Sequence, residues 1–130
     1  GAELKAVLEQ GFDTNAPEQV LTPSAGFAYS YDRVRSVGER IVAMSLDGMP
    51  VDPARDYRVT VPMFLANGGD SFEAFGKGRN RVIGTTDIAA FEAWLKAVPP
   101  RAAPPESRTT DLNPDLNRTN RANPPGQKYR

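Results

Sequence analysis

The 130-residue chain contains no histidine and no cysteine. Without cysteine it forms no disulfides, zinc ribbons, thiol nucleophiles or iron–sulfur clusters. Without histidine it cannot assemble a Ser-His-Asp triad, a His-Cys pair or a histidine-ligated metal. Acid–base chemistry near neutral pH would fall on a carboxylate, a lysine or a tyrosine with a shifted pKa. The chain is therefore a poor candidate for an enzyme in its own right.

The chain also lacks a net charge and a long apolar run. Lys plus Arg is 16 and Asp plus Glu is 16, so the formal net charge is zero. A neutral chain gives no electrostatic reason to expect nucleic acid or an anionic membrane as its main partner. No apolar run approaches the roughly 20 residues that cross a bilayer. We therefore expect no nucleic-acid partner and no membrane span.

Proline divides the chain near Pro99. Residues 99–130 hold 7 of the 12 prolines, with six basic and three acidic residues and few apolar ones. Such a segment buries too little apolar surface to offset the entropy of ordering it. We expect one folded unit at residues 1–98, and a proline-rich tail at residues 99–130 that is extended, disordered or laid as a strap over the surface.

Hydrophobic periodicity in residues 1–98 predicts a mixture of helices and strands. Helical spacing predicts one helix over residues 2–10, ended by Gly11, and another from an N-cap at Asp87 to Pro99. Period-two alternation predicts three strands, and Asp47-Gly48 predicts a tight turn after the second. The apolar positions of these strands are Phe27, Tyr29 and Tyr31; Val42, Met44 and Leu46; and Tyr57, Val59, Val61 and Met63. The predicted fold is α+β, a small mixed sheet of about three to five strands with helices packed on it.

Residues 64–72 carry the candidate ligand site. The consecutive glycines Gly68 and Gly69 let the backbone turn tightly and approach a ligand closely. Asp70 follows them and can accept two hydrogen bonds from a vicinal diol, while Phe64 offers a ring face for stacking. These residue types suit a nucleoside or a sugar.

A simpler interpretation of the same segment remains open. Asn67-Gly68 is also a plain turn signal, Phe64 and Phe72 are also typical core residues, and Asp70 is a typical cap of a short helix.

Two basic stretches are expected to be solvated. Residues 76–80 look like a phosphate loop but lack its Gly-Lys-Ser/Thr ending, which favours a basic surface turn. Arg33, Arg35 and Arg40 flank a strand end and are expected to form a solvated edge.

Residues 1–98 resemble the C-terminal domain of the 5′-nucleotidase family, secreted or periplasmic metallophosphoesterases that dephosphorylate nucleotides. The segments that carry the resemblance are residues 1–10, 23–32, 48–53, 57–61, 64–70 and 86–87. In this family an N-terminal domain holds two divalent metals and performs the chemistry, and the C-terminal domain binds the nucleoside. Two aromatic rings sandwich the base, and an aspartate after the double glycine binds the ribose hydroxyls.

The resemblance implies a role for each residue of the loop. Phe64 would be the second ring of the base clamp and Asp70 the ribose acceptor, with Asn67, Gly68 and Gly69 completing the substrate-binding loop. No catalytic residue, metal ligand or cofactor is expected on this chain.

The sequence also departs from the family pattern. The first clamp aromatic lies upstream of the helix at which this chain begins, so we expect a partial domain, truncated on its N-terminal side. Ser71 stands where the family usually has a glycine, and the closing strand is at best Arg108-Thr109. Missing upstream strands would leave an edge or an apolar face open, so we expect self-association or packing against a neighbouring chain.

The resemblance implies the substrate-recognition domain of a 5′-nucleotidase-like hydrolase, located in the periplasm or outside the cell and inactive alone. Its partners would be a nucleoside or nucleotide and the N-terminal metallophosphoesterase domain. One alternative keeps the family but changes the substrate to a cyclic nucleotide, a nucleotide-sugar or another compound. The other is a degenerate, non-catalytic interaction or structural module.

Overall fold

The computed structural model describes residues 1–13, 18–97, 100, 102–103 and 105–114. Three α-helices and four strands lie within these residues. They are α1 (Ala2–Gln10), β1 (Phe27–Tyr31), β2 (Ile41–Leu46), β3 (Met49–Pro50), α2 (Met63–Ala66), α3 (Asp87–Ala97) and β4 (Thr109–Asp111). Two short 3₁₀ segments, Gly69–Ser71 and Glu73–Lys77, lie between α2 and α3. Within the described part, no helix is long and apolar enough to cross a bilayer.

The four strands form one mixed sheet in the order β3-β2-β1-β4. β1 pairs antiparallel with β2, and β2 pairs antiparallel with β3. β4 returns from the far end of the described chain to pair parallel with β1. The predicted α+β fold with a small mixed sheet is therefore confirmed.

The turn between β2 and β3 is the one expected from Asp47-Gly48. Asp47 has φ 51° and Gly48 has φ 79°, so both central residues are left-handed. Two left-handed residues give the backbone twist that matches two antiparallel strands, which is why Asp-Gly is favoured there.

Helix α1 ends at the predicted residue but for a different reason. Gly11 keeps a right-handed helical conformation, so it is not there to allow a positive φ. A Cβ at Gly11 would stand 2.3 Å from the carbonyl oxygen of Gln19. The glycine is needed because the returning chain passes against the end of the helix.

Helix α1 separates two apolar clusters. The sheet-side cluster consists of Leu8, Phe12, Tyr29, Tyr31 and Ile41. The loop-side cluster consists of Val7, Phe72 and Ala74. Because Val7 and Leu8 are neighbours on the helix, α1 joins the sheet to the loop that carries the candidate site.

Tyr29 lies in the sheet-side cluster with its polar end satisfied. Its hydroxyl donates a hydrogen bond to the carbonyl oxygen of Leu21 at 2.6 Å. Burial, with a smaller contribution from Tyr31, raises the pKa of Tyr29 well above its usual value. The phenol therefore stays protonated, as a donor must.

Glu9 is a buried carboxylate that joins α1 to the start of β2. Its Oε1 accepts the N–H of Ile41 at 2.7 Å, and its Oε2 accepts the N–H of Arg40 at 3.1 Å. Lys5, one turn earlier, lies 3.9 Å from Oε1. The two main-chain donors would otherwise lack a partner at this strand end.

The prediction of a strand over residues 57–63 is wrong. Residues 57–62 have no regular secondary structure, and Met63 begins α2 instead of ending a strand. The alternation of Tyr57, Val59 and Val61 suits a strand, but no strand of the described part lies beside these residues to accept their hydrogen bonds. Val59 is instead 49% exposed.

Helix α3 forms where predicted, with its cap one residue earlier. The hydroxyl of Thr86, and not the carboxylate of Asp87, accepts the N–H of Ala89 at 3.2 Å. None of the described side chains of α3 is buried. Its apolar row of Ile88, Phe91, Trp94 and Leu95 is 41–77% exposed. This row is called the α3 face below.

The expectation of a solvated arginine edge is wrong for Arg33 and Arg40. Arg33 binds both carboxylate oxygens of Glu18, at 3.0 and 2.9 Å from Nε, and also contacts Asp111 of β4. The Arg33 side chain is 15% exposed. Arg40 donates to the main-chain oxygen of Phe12. Both guanidinium groups hold separate segments together.

Strand β4 lies inside the segment predicted as a tail. It begins directly after Arg108, and the side chain of Asn113 donates to Asp32 at 2.6 Å. Residues 115–130 lie outside the described part of the chain. The extent of the tail, and the boundary at residue 98, remain predictions.

Glu9→Gln is expected to destabilise the fold by about 1–3 kcal/mol, because the amide group turns a donor toward one of the two main-chain N–H groups. Urea unfolding followed by circular dichroism measures this loss. Glu3→Gln is the matched control, since Glu3 is exposed on the same helix. Equal midpoints for the two variants would contradict the role assigned to Glu9.

Candidate functional site

The candidate loop leaves α2 through a left-handed glycine. Asn67 ends the helix, and Gly68 follows with φ 85°. The N–H of Gly68 returns to the carbonyl oxygen of Leu65 at 2.9 Å. A side chain at Gly68 would be strained in this conformation, so the turn at Asn67-Gly68 is real and needs its glycine.

Phe72 anchors the far side of the loop. Its side chain is 1% exposed and packs in the loop-side cluster against α1. Next to it, the side-chain oxygen of Gln10 accepts the N–H of Ala74 at 2.9 Å. The loop is thus fixed to α1 by apolar packing and by a hydrogen bond.

Phe64 faces solvent, on a different side of α2 from the residue that packs against the core. Leu65 packs against the loop-side cluster, whereas Phe64 is 60% exposed. Successive helical residues differ in direction by about 100°, so burying Leu65 turns Phe64 outward. Its ring lies over Gly69, where an added Cβ would stand 2.5 Å from ring carbons Cε1 and Cζ. One part of the ring is packed on the glycine and the remainder faces solvent.

Asp70 projects its carboxylate from a left-handed residue. Asp70 has φ 52° and Ser71 has φ 66°, two consecutive non-glycine residues in a sparsely populated region. The Asp70 side chain is exposed. This carboxylate is available to accept hydrogen bonds from a ligand.

Arg81 bridges the two ends of the loop, and the sequence analysis did not identify it. Its Nη1 donates to Asn67 Oδ1 at 3.2 Å, and its Nη2 lies 2.8 Å from the oxygen of Ala66 and 3.2 Å from that of Gly76. Two of these acceptors are main-chain oxygens, which carry no sequence signal. An arginine beside a basic turn gave no reason to single it out.

The structure brings part of the predicted site together. Phe64 contacts Gly69, and Asp70 follows directly, so the ring and the carboxylate lie on one exposed loop. Asn67 has its side-chain oxygen engaged by Arg81, which leaves its amide group for any further partner. The substrate-binding roles of these residues remain predictions.

The simpler interpretation is right for some residues and wrong for others. Phe72 is a core residue and Asn67-Gly68 is a turn, as that interpretation expects. Phe64 is not a core residue, and Asp70 makes no side-chain cap to either 3₁₀ segment.

Two grooves in the described part of the chain are lined by residues other than Phe64. A groove of about 370 Å³ lies between α1 and β2, and a smaller one of about 180 Å³ lies behind the loop beside Gln10 and Lys77. Within the described ranges, no three Asp or Glu side chains lie together as ligands for a metal ion.

The fold and the loop together define an α+β domain that presents an aromatic ring and a carboxylate to solvent. The chain belongs to the 5′-nucleotidase C-terminal domain family, because the profile of that family matches residues 1–77. The resemblance drawn from the sequence is thereby confirmed.

Solved structures agree with this assignment. Among 18 matching chains is the crystal structure of a 5′-nucleotidase precursor from Thermus thermophilus, 32% identical with a TM-score of 0.76. The match covers 86% of this chain and 24% of that chain, so the present chain spans about a quarter of the length of its relative. No curated protein sequence matches the chain.

Gly69→Ala is expected to displace the ring of Phe64, because the new methyl group would stand 2.5 Å from two ring carbons. Nuclear Overhauser contacts between the Phe64 ring and the backbone of residue 69 would be lost. Gly76→Ala is the control, since a Cβ there meets nothing within 4 Å. Retention of the ring contacts in Gly69→Ala would show that the packing on Gly69 is wrong.

Proposed function

We propose that this chain is the nucleoside-recognition part of a 5′-nucleotidase-like phosphohydrolase. The observation that carries the proposal is the exposed ring of Phe64 lying on Gly69, directly before the exposed carboxylate of Asp70. A base would stack on the open face of the ring. The carboxylate would accept hydrogen bonds from the two ribose hydroxyls, as the family resemblance implies.

The expected affinity of this site alone is low. Stacking of a base on one aromatic ring contributes about 1–3 kcal/mol, and a hydrogen bond to a charged group about 1.5–3 kcal/mol. These gains little exceed the loss of translational and rotational freedom on binding. We expect a Kd in the millimolar range, which corresponds to a binding free energy of about −4 kcal/mol.

Phosphate release would take place outside this chain. The proposed partner is an N-terminal metallophosphoesterase domain of the same protein, which would hold two divalent metals and perform the hydrolysis. The proposed location is the periplasm or the cell exterior. A cyclic nucleotide or a nucleotide-sugar would use the same ring and carboxylate, so these substrates remain alternatives within the family.

Adenosine, titrated into the isotope-labelled chain and followed by NMR, is expected to shift the resonances of residues 64 and 67–70. Phe64→Ala should weaken binding about tenfold, since it removes about 1.4 kcal/mol or more of stacking. Phe91→Ala is the matched control, because Phe91 is 61% exposed and Phe64 is 60% exposed. A parallel titration with uridine measures the preference for the base.

Three results would count against the proposal. One is the absence of any shift at high millimolar adenosine. Another is an equal loss of binding in Phe64→Ala and Phe91→Ala. A submicromolar Kd would show that half a clamp is the wrong description of the site.

The α3 face favours a second candidate function, that of an interaction module. Its four large apolar side chains lie in a row on one helix and are exposed. Contiguous exposed apolar surface of this kind is typical of protein interaction sites. In this alternative the chain binds a second copy of itself through α3, and the loop has no ligand.

Sedimentation velocity is expected to show association that increases with protein concentration. Phe91→Glu should shift the chain to monomer, because a charge in the contact would have to be desolvated. Val37→Glu is the control, since Val37 is 56% exposed in the turn before β2. A monodisperse monomer at every concentration would exclude the α3 face as a self-association surface.

A further inference from the structure

We propose that Arg81 is a positioning residue, which holds the candidate nucleoside loop in the conformation that presents Phe64 and Asp70. This inference rests on the proposed function for its consequence in ligand binding. Its structural part, that Arg81 orders the loop, stands on the contacts of Arg81 alone.

Arg81 joins the two ends of the loop. Through Ala66 and Asn67 it holds the end of α2, where its nitrogens lie 2.8 and 3.2 Å from the acceptors. Through Gly76 it holds the second 3₁₀ segment at 3.2 Å, with the oxygen of Phe75 at 3.5 Å. The segment between these ends contains two left-handed residues that are not glycine, Asp70 and Ser71.

The guanidinium group is suited to this task and an ammonium group is not. Its planar fork donates in several fixed directions at once, so it reaches a side-chain oxygen and main-chain oxygens on two segments. It also satisfies the carbonyl oxygen of Ala66, at the helix end where carbonyl groups lack a partner within the helix. Lysine would keep the charge and lose the bridge.

The loop needs such a bridge because its conformation is costly. Left-handed non-glycine residues persist only where surrounding contacts fix them. Phe72 and Gln10 fix the side of the loop next to α1. Arg81 fixes the opposite, solvent-facing side through its hydrogen bond to Asn67, the residue at which the loop begins.

Four proteins test the inference: the wild-type chain, Arg81→Ala, Arg81→Lys and Arg79→Ala. Arg79 is the matched control, because its side chain is 80% exposed and pairs only with Asp56 at 3.8 Å in the described part. The first readout is the heteronuclear NOE and amide exchange of residues 67–71 without ligand. The second is the Kd for adenosine and for AMP, measured by NMR titration.

Arg81→Ala and Arg81→Lys are both expected to increase the mobility of residues 67–71, and Arg79→Ala to leave it unchanged. If the free loop then holds the competent conformation for about one fifth of the time, the apparent Kd rises about fivefold. The factor should be the same for adenosine and AMP, because a positioning residue does not contact the phosphate.

Three results would overturn the inference. Unchanged loop mobility in Arg81→Ala would show that the bridge orders nothing. Full recovery in Arg81→Lys would show that charge alone matters. A larger loss for AMP than for adenosine would make Arg81 a direct phosphate ligand. If the wild-type chain binds neither compound, the proposed function fails, and the loop mobility still decides the role of Arg81.

Discussion

The burial of Phe72 is the constraint on which the candidate site depends. The two residues before it, Asp70 and Ser71, adopt left-handed conformations that each cost about 1–3 kcal/mol. Burying a phenylalanine contributes about 1.5–3 kcal/mol, which offsets part of that cost when the side chain is fully enclosed. Phe72 is enclosed because Val7 of α1 and Ala74 form its walls. Burial of Phe72 therefore helps to keep Asp70 in the conformation that exposes its carboxylate.

Helix α1 connects the loop that contains Phe72 to the sheet. Its Val7 packs under the loop, its Leu8 packs under the strands, and its Glu9 binds the start of β2. Three consecutive residues thus connect α1 to the loop on one side and to the sheet on the other. A shift of α1 along its axis would disturb the loop and the sheet together, because the interiors of proteins are packed too closely to absorb it. The orientation of the candidate site is set by the same helix that orders the core.

The sequence predicted what local chemistry determines and missed what distant partners determine. Asp47-Gly48 could be assigned to a turn because the preference for a positive φ belongs to those two residues. The alternation of Tyr57, Val59 and Val61 is equally clear, yet a strand exists only where another strand accepts its hydrogen bonds. Arg81 could not be found at all, since most of its acceptors are main-chain oxygens, which any residue type would supply. Phe64 and Asp70 could be proposed as site residues because their chemistry is carried by side chains close together in sequence.

Much of the exposed apolar surface of the described chain, including Val59, Phe64 and the α3 face, lies between residues 59 and 95. The sheet and α1 bury Val7, Leu8, Tyr29, Tyr31 and Ile41, although Val42, Leu46 and Met49 of the sheet are exposed. A planar base can cover the single ring of Phe64. It cannot cover a row that runs from Ile88 to Leu95, about 10 Å along a helix. In the proposed function, a small planar ligand would cover the ring of Phe64 and leave the α3 face open to a polypeptide. The two proposed activities, recognition of a nucleoside and association with another chain, are therefore compatible, because they would use different surfaces.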